Sequence, residues 1–171
     1  SNNYNFVKAP AGQPSLLTWD DVTTMFHEFG HALHGLNSRV TYPTIAGTNT
    51  TRDFVEFPSQ FNENWITTPE VLKFLVDANG RPIPADLVAK IRRAHTFNEG
   101  FSTVETQASA IVDMKLHLAG AAPIDPRAFE KATLAELGMP SEIVMRHRIP
   151  QFGHVFSGEG YAAGYYGYLW A

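Results

Sequence analysis

In the stretch "TMFHEFGHALHG", His27 and His31 stand four residues apart with Glu28 directly after the first. On a helix, residues at that spacing lie about 40° apart around the axis and one turn along it. Both imidazoles can therefore reach one ion. Zinc suits two neutral imidazoles and a carboxylate, with a fourth position left for water. Glu28 points about 100° round from His27, too far to share the ion easily but within reach of that water. There it can take the water's proton and pass it to a leaving amine. The chemistry suggested is metal-assisted peptide hydrolysis. The competing reading is an amphipathic helix that merely contains histidines, as short motifs of this kind also arise by chance. Gly30 argues against it. A glycine inside a helix costs roughly 1 kcal/mol, which points to something passing close to the backbone.

A third ligand has to come from elsewhere. His34 shares the face of His27 and His31, but three ligands from two turns of one straight helix would have to converge from about 10 Å of axial rise, so it is expected outside the ligand set. A histidine-rich extension of the HExxHxxGxxH kind is not met, because positions 34 and 37 are His and Asn. Glu56, Glu63 and Glu70 are the downstream carboxylates. Glu56 and Glu63 fall on one face of the following helix, and spacing alone does not separate them.

The elements that must position these groups are largely helical. In "TWDD", Thr18 is the expected N-cap, with Asp21 three residues on. Trp19, Val22, Phe26, Phe29, Leu33 and Leu36 form an apolar stripe for a helix to about Gly35, and the histidines lie off it. Residues 38–50 read as a short hairpin or extended loop. A second helix is expected near 53–65, with Phe54, Phe57, Phe61 and Trp65 on one stripe and Pro58 marking a kink or an N-terminus. Further helices are predicted near 69–78, 85–97, 102–118, 126–137 and, briefly, 140–147. A glycine-rich loop then runs to about Gly160, mobile over 153–160, before a helix from about Tyr161. The fold class is mainly α with a minor β element, zincin-like around HEFGH. Asp53 and Gln60 flank Glu56 by a turn and are candidates to hydrogen-bond ligand histidines. His95, His117 and His147 read as surface or capping groups.

Composition narrows the field. The 171 residues are 44% hydrophobic and 12% aromatic, as in a globular protein. The net charge of −4, with no basic run, gives nucleic acid and anionic membranes no electrostatic hold. With no cysteine there is neither a disulfide framework nor a thiolate site. No apolar run approaches the ~20 residues needed to span a bilayer, and a cytoplasmic location is expected. The whole of 1–171 reads as one catalytic, zinc-binding domain. Its ends fall in mid-loop and mid-helix, so a fragment of a larger peptidase is expected.

Three segments, "FHEFGHALHG", "GTNTTRDFVEFPSQFNENW" and "FGHVFSGEGYAAGYYGYLW", together resemble the thimet oligopeptidase and oligopeptidase A family of zinc metallopeptidases. The wording of "RHRIPQFGHVFSGEGYAAGYYGYLWA" is nearest its bacterial peptidyl-dipeptidase branch. The resemblance implies that Glu56 is the third zinc ligand beside His27 and His31. It also implies that His154, Tyr161 and Tyr168, with Tyr165 less directly, hold substrate and its oxyanion. A helical fold with a deep channel for short unstructured peptides follows, much of one wall lying N-terminal to residue 1. The partners implied are a short peptide substrate and the remainder of the full-length chain.

The chemistry of the last segment agrees, since tyrosine hydroxyls are suitable donors to an oxyanion. An aromatic core stripe over Tyr165 and Tyr168 is the alternative. The function expected is release of C-terminal dipeptides from oligopeptides. The alternatives are an oligoendopeptidase, a zinc-binding fragment inactive through truncation, and a helical interaction module.

Overall fold

A computed structural model describes residues 2–171, which fall into two compact units, one running to Phe97 and one over Asn98–Ala171. Nothing in the composition marks that division. Asn98, in the left-handed region at φ 57°, sits there as the N-cap of a helix. Among the described residues the secondary structure is helical, apart from an isolated antiparallel bridge between Val76 and Pro82. The fold class is mainly α.

In the first unit, α1 spans Trp19–Leu36 and opens on a full capping box between Thr18 and Asp21. Residues 38–50 form a loop with a 3-10 turn at Pro43–Ile45 and no hairpin. Pro43 and the glycine at 47, with φ 56°, favour turns over a strand ladder. The second helix, α2, covers only Phe57–Glu63 and continues as a 3-10 turn over Asn64–Thr67. Pro58 sits in its first turn, where a missing N–H costs nothing.

The predicted helix over 69–78 is reduced to α3, Pro69–Leu72. From there the chain turns back at Asn79-Gly80, and Asp77 binds the backbone N–H groups of Asn79 and Arg81 and the Arg81 guanidinium. That local aspartate turn competes with helix continuation. The unit ends with α4, Ala85–Thr96.

Packing of α1 differs from the stripe reading. Val22 and Gly30 are its buried residues, while Phe29 and Leu36 are exposed. The reason is the contact with α2. A Cβ at Gly30 would lie 2.5 Å from the Ser59 Cα and 2.7 Å from the Pro58 carbonyl oxygen. The helices therefore meet at the glycine, on the side of the histidines, and leave Phe29 and Leu36 outward. The Phe54, Phe57, Phe61 and Trp65 stripe is likewise about half exposed, its rings in sequential contact at 5.5–6.1 Å.

The second unit holds α5, Glu99–Leu118, and α6, Pro126–Glu136, capped by Asp125. Gly138 follows α6 at φ 71°, the left-handed stop that the sequence suggested. Ala108 and Val112 of α5 and Leu134 of α6 share a core with Met145, Ile149, Phe152 and Val155. The expected helix over 140–147 is a set of turns beginning at Pro140, with Met145 buried in that core. A 3-10 turn at Ile149–Gln151 precedes α7, Gly153–Phe156. The glycine-rich loop thus begins only at Ser157. The last helix, α8, covers Gly167–Trp170 rather than starting at Tyr161, because residues 161–166 form tight turns with Ala163 at φ 55°.

Candidate active site

The first unit brings His27, His31 and Glu56 together. One ligand atom from each lies within 4.8 Å of the others. The Nε2 atoms of His27 and His31 stand 3.1 and 3.2 Å from the same Glu56 oxygen, Oε2. Tetrahedral zinc with bonds of about 2.0–2.1 Å would separate its ligand atoms by roughly 3.3 Å. The donor set and its spacing therefore fit such an ion.

Several local devices fix this corner. Gly30 lets α2 approach α1 to backbone contact, and the Asn62 amide donates to the Phe26 carbonyl at 2.7 Å. Glu56 occupies the N-cap position of α2 and is 2% exposed. The hydroxyl of fully buried Ser59 lies 2.8 Å from the Glu56 carbonyl oxygen and 3.1 Å from Oε2. That contact fixes the direction of the carboxylate.

Glu63, which spacing left level with Glu56, has a different place. Its Oε1 is 2.7 Å from Nδ1 of His27, the nitrogen facing away from Glu56. A carboxylate there accepts a hydrogen bond from Nδ1–H, keeping the proton on that nitrogen and leaving Nε2 with its lone pair, the arrangement that ligand histidines commonly need. Hydrogen bonds to Glu56 and then Glu63 push His27 up to about 9, although burial opposes the charge. In the metal-free protein these carboxylates thus hold a proton that a metal ion would displace.

The remaining candidates of this unit lie around the corner. Glu28 follows His27 on α1, partly exposed, and no hydrogen bond or ion pair among the described residues occupies its carboxylate. His34 is stacked edge-on against Phe54 at 6.0 Å, its Nδ1 buried without a partner. Glu70 is exposed in the first turn of α3.

The second unit gathers His154, Tyr161 and Tyr168. Nε2 of His154 is 2.8 Å from the Tyr168 hydroxyl. The Tyr161 and Tyr168 rings stack 5.5 Å apart and within 4° of parallel, with His154 4.4 Å from Tyr161. Tyr165 behaves differently. It meets Phe152 edge-on at 4.9 Å against the core, and burial pushes its phenol above the usual range. Tyr161 packs against the same core, Tyr165 also meets His154 at 5.8 Å and Tyr168 at 5.3 Å, and the Tyr168 hydroxyl is turned to His154. A cleft of about 380 Å³ is lined by His147, Gln151, His154, Tyr165 and Tyr168, among others.

Two groups in this unit were not singled out by the sequence. Asp113, 1% exposed on α5, accepts the backbone N–H groups of Ala163 at 3.1 Å and Tyr165 at 3.0 Å. His117, exposed in the last turn of α5, places Nδ1 2.9 Å from the Asp113 carbonyl oxygen, a capping position, and 2.9 Å from Oδ1. Glu130, 1% exposed on α6, accepts the Ile149 N–H and pairs with Arg148 without hydrogen-bond alignment. The signal was available. A lone aspartate inside the apolar run "SAIVDMKL" must find partners when buried.

Residues 2–171 match the model of peptidase family M3. The chain is 47% identical to a dipeptidyl carboxypeptidase of Salmonella typhimurium and 48% to that of Escherichia coli, over 99% of its length in each case. It is 37% identical to oligopeptidase A of Escherichia coli over 98% of its length. In all three it spans about a quarter of the relative's own length, 25%. A family model that matches nearly every residue, together with a histidine–histidine–glutamate corner of metal-binding dimensions, leaves one assignment: this chain belongs to peptidase family M3.

Proposed function

We propose that these residues are part of the catalytic domain of a zinc metallopeptidase that hydrolyses short oligopeptides and releases C-terminal dipeptides. The observation that carries the reading is the convergence of His27, His31 and Glu56, with Glu28 beside them on α1.

His27 and His31 would hold zinc through Nε2, and Glu56 through Oε2. Glu63 keeps the His27 proton on Nδ1, and Ser59 keeps the Glu56 carboxylate directed at the histidines. When bound, the ion supplies Lewis acidity to the scissile carbonyl and acidity to the attacking water. Glu28 takes the proton from that water and delivers it to the amine that leaves. His154, Tyr161 and Tyr168 donate hydrogen bonds to the peptide and to the oxyanion that develops on its carbonyl. Their chemistry and the family resemblance support these roles.

Release of dipeptides is favoured over internal cleavage because identity to the dipeptidyl carboxypeptidases exceeds that to oligopeptidase A. The full-length protein should be given peptides with free and with amidated C-termini, and the products weighed. Dipeptides from free ends alone are expected; equal cleavage of amidated peptides at internal bonds would make it an oligoendopeptidase. Glu28→Gln should retain zinc and lose about 10²–10⁴-fold in kcat. Near-normal turnover in that variant would move the general base elsewhere.

A further inference from the structure

The tyrosine turn contains a conformation that its own sequence does not favour. Ala163 stands in the left-handed region at φ 55°, between Tyr161 and Tyr165. For a residue with a Cβ that region is uphill, and it persists only where the surroundings hold it. The Asp113 carboxylate is what holds it. One oxygen accepts the N–H of Ala163 and the other the N–H of Tyr165, so both backbone groups are tied to one planar group on α5.

That group is itself fixed. It is 1% exposed and carried in the C-terminal half of a 20-residue helix. A fixed two-oxygen acceptor sets both the position and the orientation of the peptide units it binds. Tyr161 lies two residues before the first of them and Tyr168 three after the second. The ring stacking of Tyr161 on Tyr168, and the approach of Tyr168 to His154, therefore depend on the path taken between.

We propose that Asp113 is a positioning residue for the substrate-binding tyrosines, holding the left-handed turn at Ala163 so that Tyr161 and Tyr168 are aligned before a peptide arrives. This rests on the reading of His154, Tyr161 and Tyr168 as substrate-binding groups. Asp113 touches no substrate; it acts through the backbone.

The test uses the full-length, zinc-loaded protein. Asp113→Asn keeps the volume but replaces one acceptor oxygen with an NH2 group, so one of the two N–H groups loses its partner. Amide exchange of the segment containing Ala163 and Tyr165 should accelerate by about tenfold or more, the scale of one lost charged hydrogen bond. Zinc content should not change. The kcat/KM should fall by up to about a hundredfold, as a misplaced group can cause. When combined with Tyr161→Phe and Tyr168→Phe together, Asp113→Asn should add little to the loss of that tyrosine pair, because the changes remove one effect.

A merely structural role would give additive losses. Ala163→Val attacks the same turn without touching the carboxylate, since a β-branched residue resists positive φ. It should reproduce the exchange and the non-additivity even where Asp113→Asn fails to fold. Unchanged exchange, or additive losses in both series, overturns the proposal. If Tyr168→Phe is impaired while Asp113→Asn and Ala163→Val are not, Asp113 alone loses its role. If Tyr161→Phe and Tyr168→Phe both retain full kcat/KM, the tyrosine reading itself falls, and the positioning role with it.

Discussion

The metal corner and the tyrosine turn reach their order by opposite routes. At the corner, regular helices do the positioning. His27 and His31 are placed by one helical turn of α1, Glu56 and Glu63 by α2, and the two helices are locked by contact at Gly30. At the turn the candidate side chains come from two four-residue helices and the turns between them, and carboxylates on longer helices tie down the backbone there. A corner built from helices depends on the spacing between two rods. A turn built from loops depends on whatever the loop is tied to.

The sharpest way to break this contrast is at the ligands. His31→Ala should remove bound metal, near one equivalent in the parent, while leaving the turn's amide exchange as it was. Elemental analysis showing full zinc in that variant would remove His31 from the ligand set. Next in size is Tyr168→Phe, which deletes a hydroxyl and almost no volume. Loss of one oxyanion donor is worth about 10²–10³-fold in kcat, and kcat and kcat/KM should fall together with zinc unchanged. Steady-state kinetics on the full-length protein decide it. A smaller effect belongs to Glu63→Gln, which weakens the hold on the His27 proton. Metal affinity should drop by about 10–100-fold, measured by competition with a chelator.

The smallest effect concerns protons in the metal-free protein. Folding raises His27 from 6.5 to about 9, so the folded state binds the proton more tightly than the unfolded chain. The stability this adds is fully present below about pH 6.5 and is lost as the pH rises through about 9. Denaturant midpoints at both ends of that window should show the decline, and Glu63→Gln should flatten it. Across the same window metal affinity should rise, since the ion needs the neutral imidazole.

The contrast also explains what the sequence made legible. The helix of HEFGH, its capping box and the close approach at Gly30 all follow from local rules, since spacing of 3.6 residues and a misplaced glycine are local facts. Spacing left Glu56 and Glu63 level because they lie on the same side of α2; they divide only once the two nitrogens of His27 point in different directions. Periodicity predicts the apolar stripes of α1 and of Phe54–Trp65, but not the exposure of Phe29, Leu36 and the Phe54–Trp65 rings. Periodicity identifies a face without saying what covers it. Residues 73–78 and 161–166 match a helical pattern but form turns, because their stabilising partners are side-chain carboxylates, Asp77 close by and Asp113 fifty residues away, which no helical period encodes.

The contact at Gly30 has a consequence for which ion the corner accepts. A methyl group there would meet backbone atoms of Pro58 and Ser59, which cannot rotate aside as a side chain can. The adjustment would be a shift of α2 as a whole, carrying Glu56 away from both histidines. Zinc bonds to nitrogen and oxygen of about 2.0–2.2 Å leave little room for such a shift, while calcium, at about 2.3–2.6 Å, prefers a wider ring of oxygens. The missing side chain at position 30 would thus work as a calibre, keeping the opening between α1 and α2 at the bore of the small cation proposed for it.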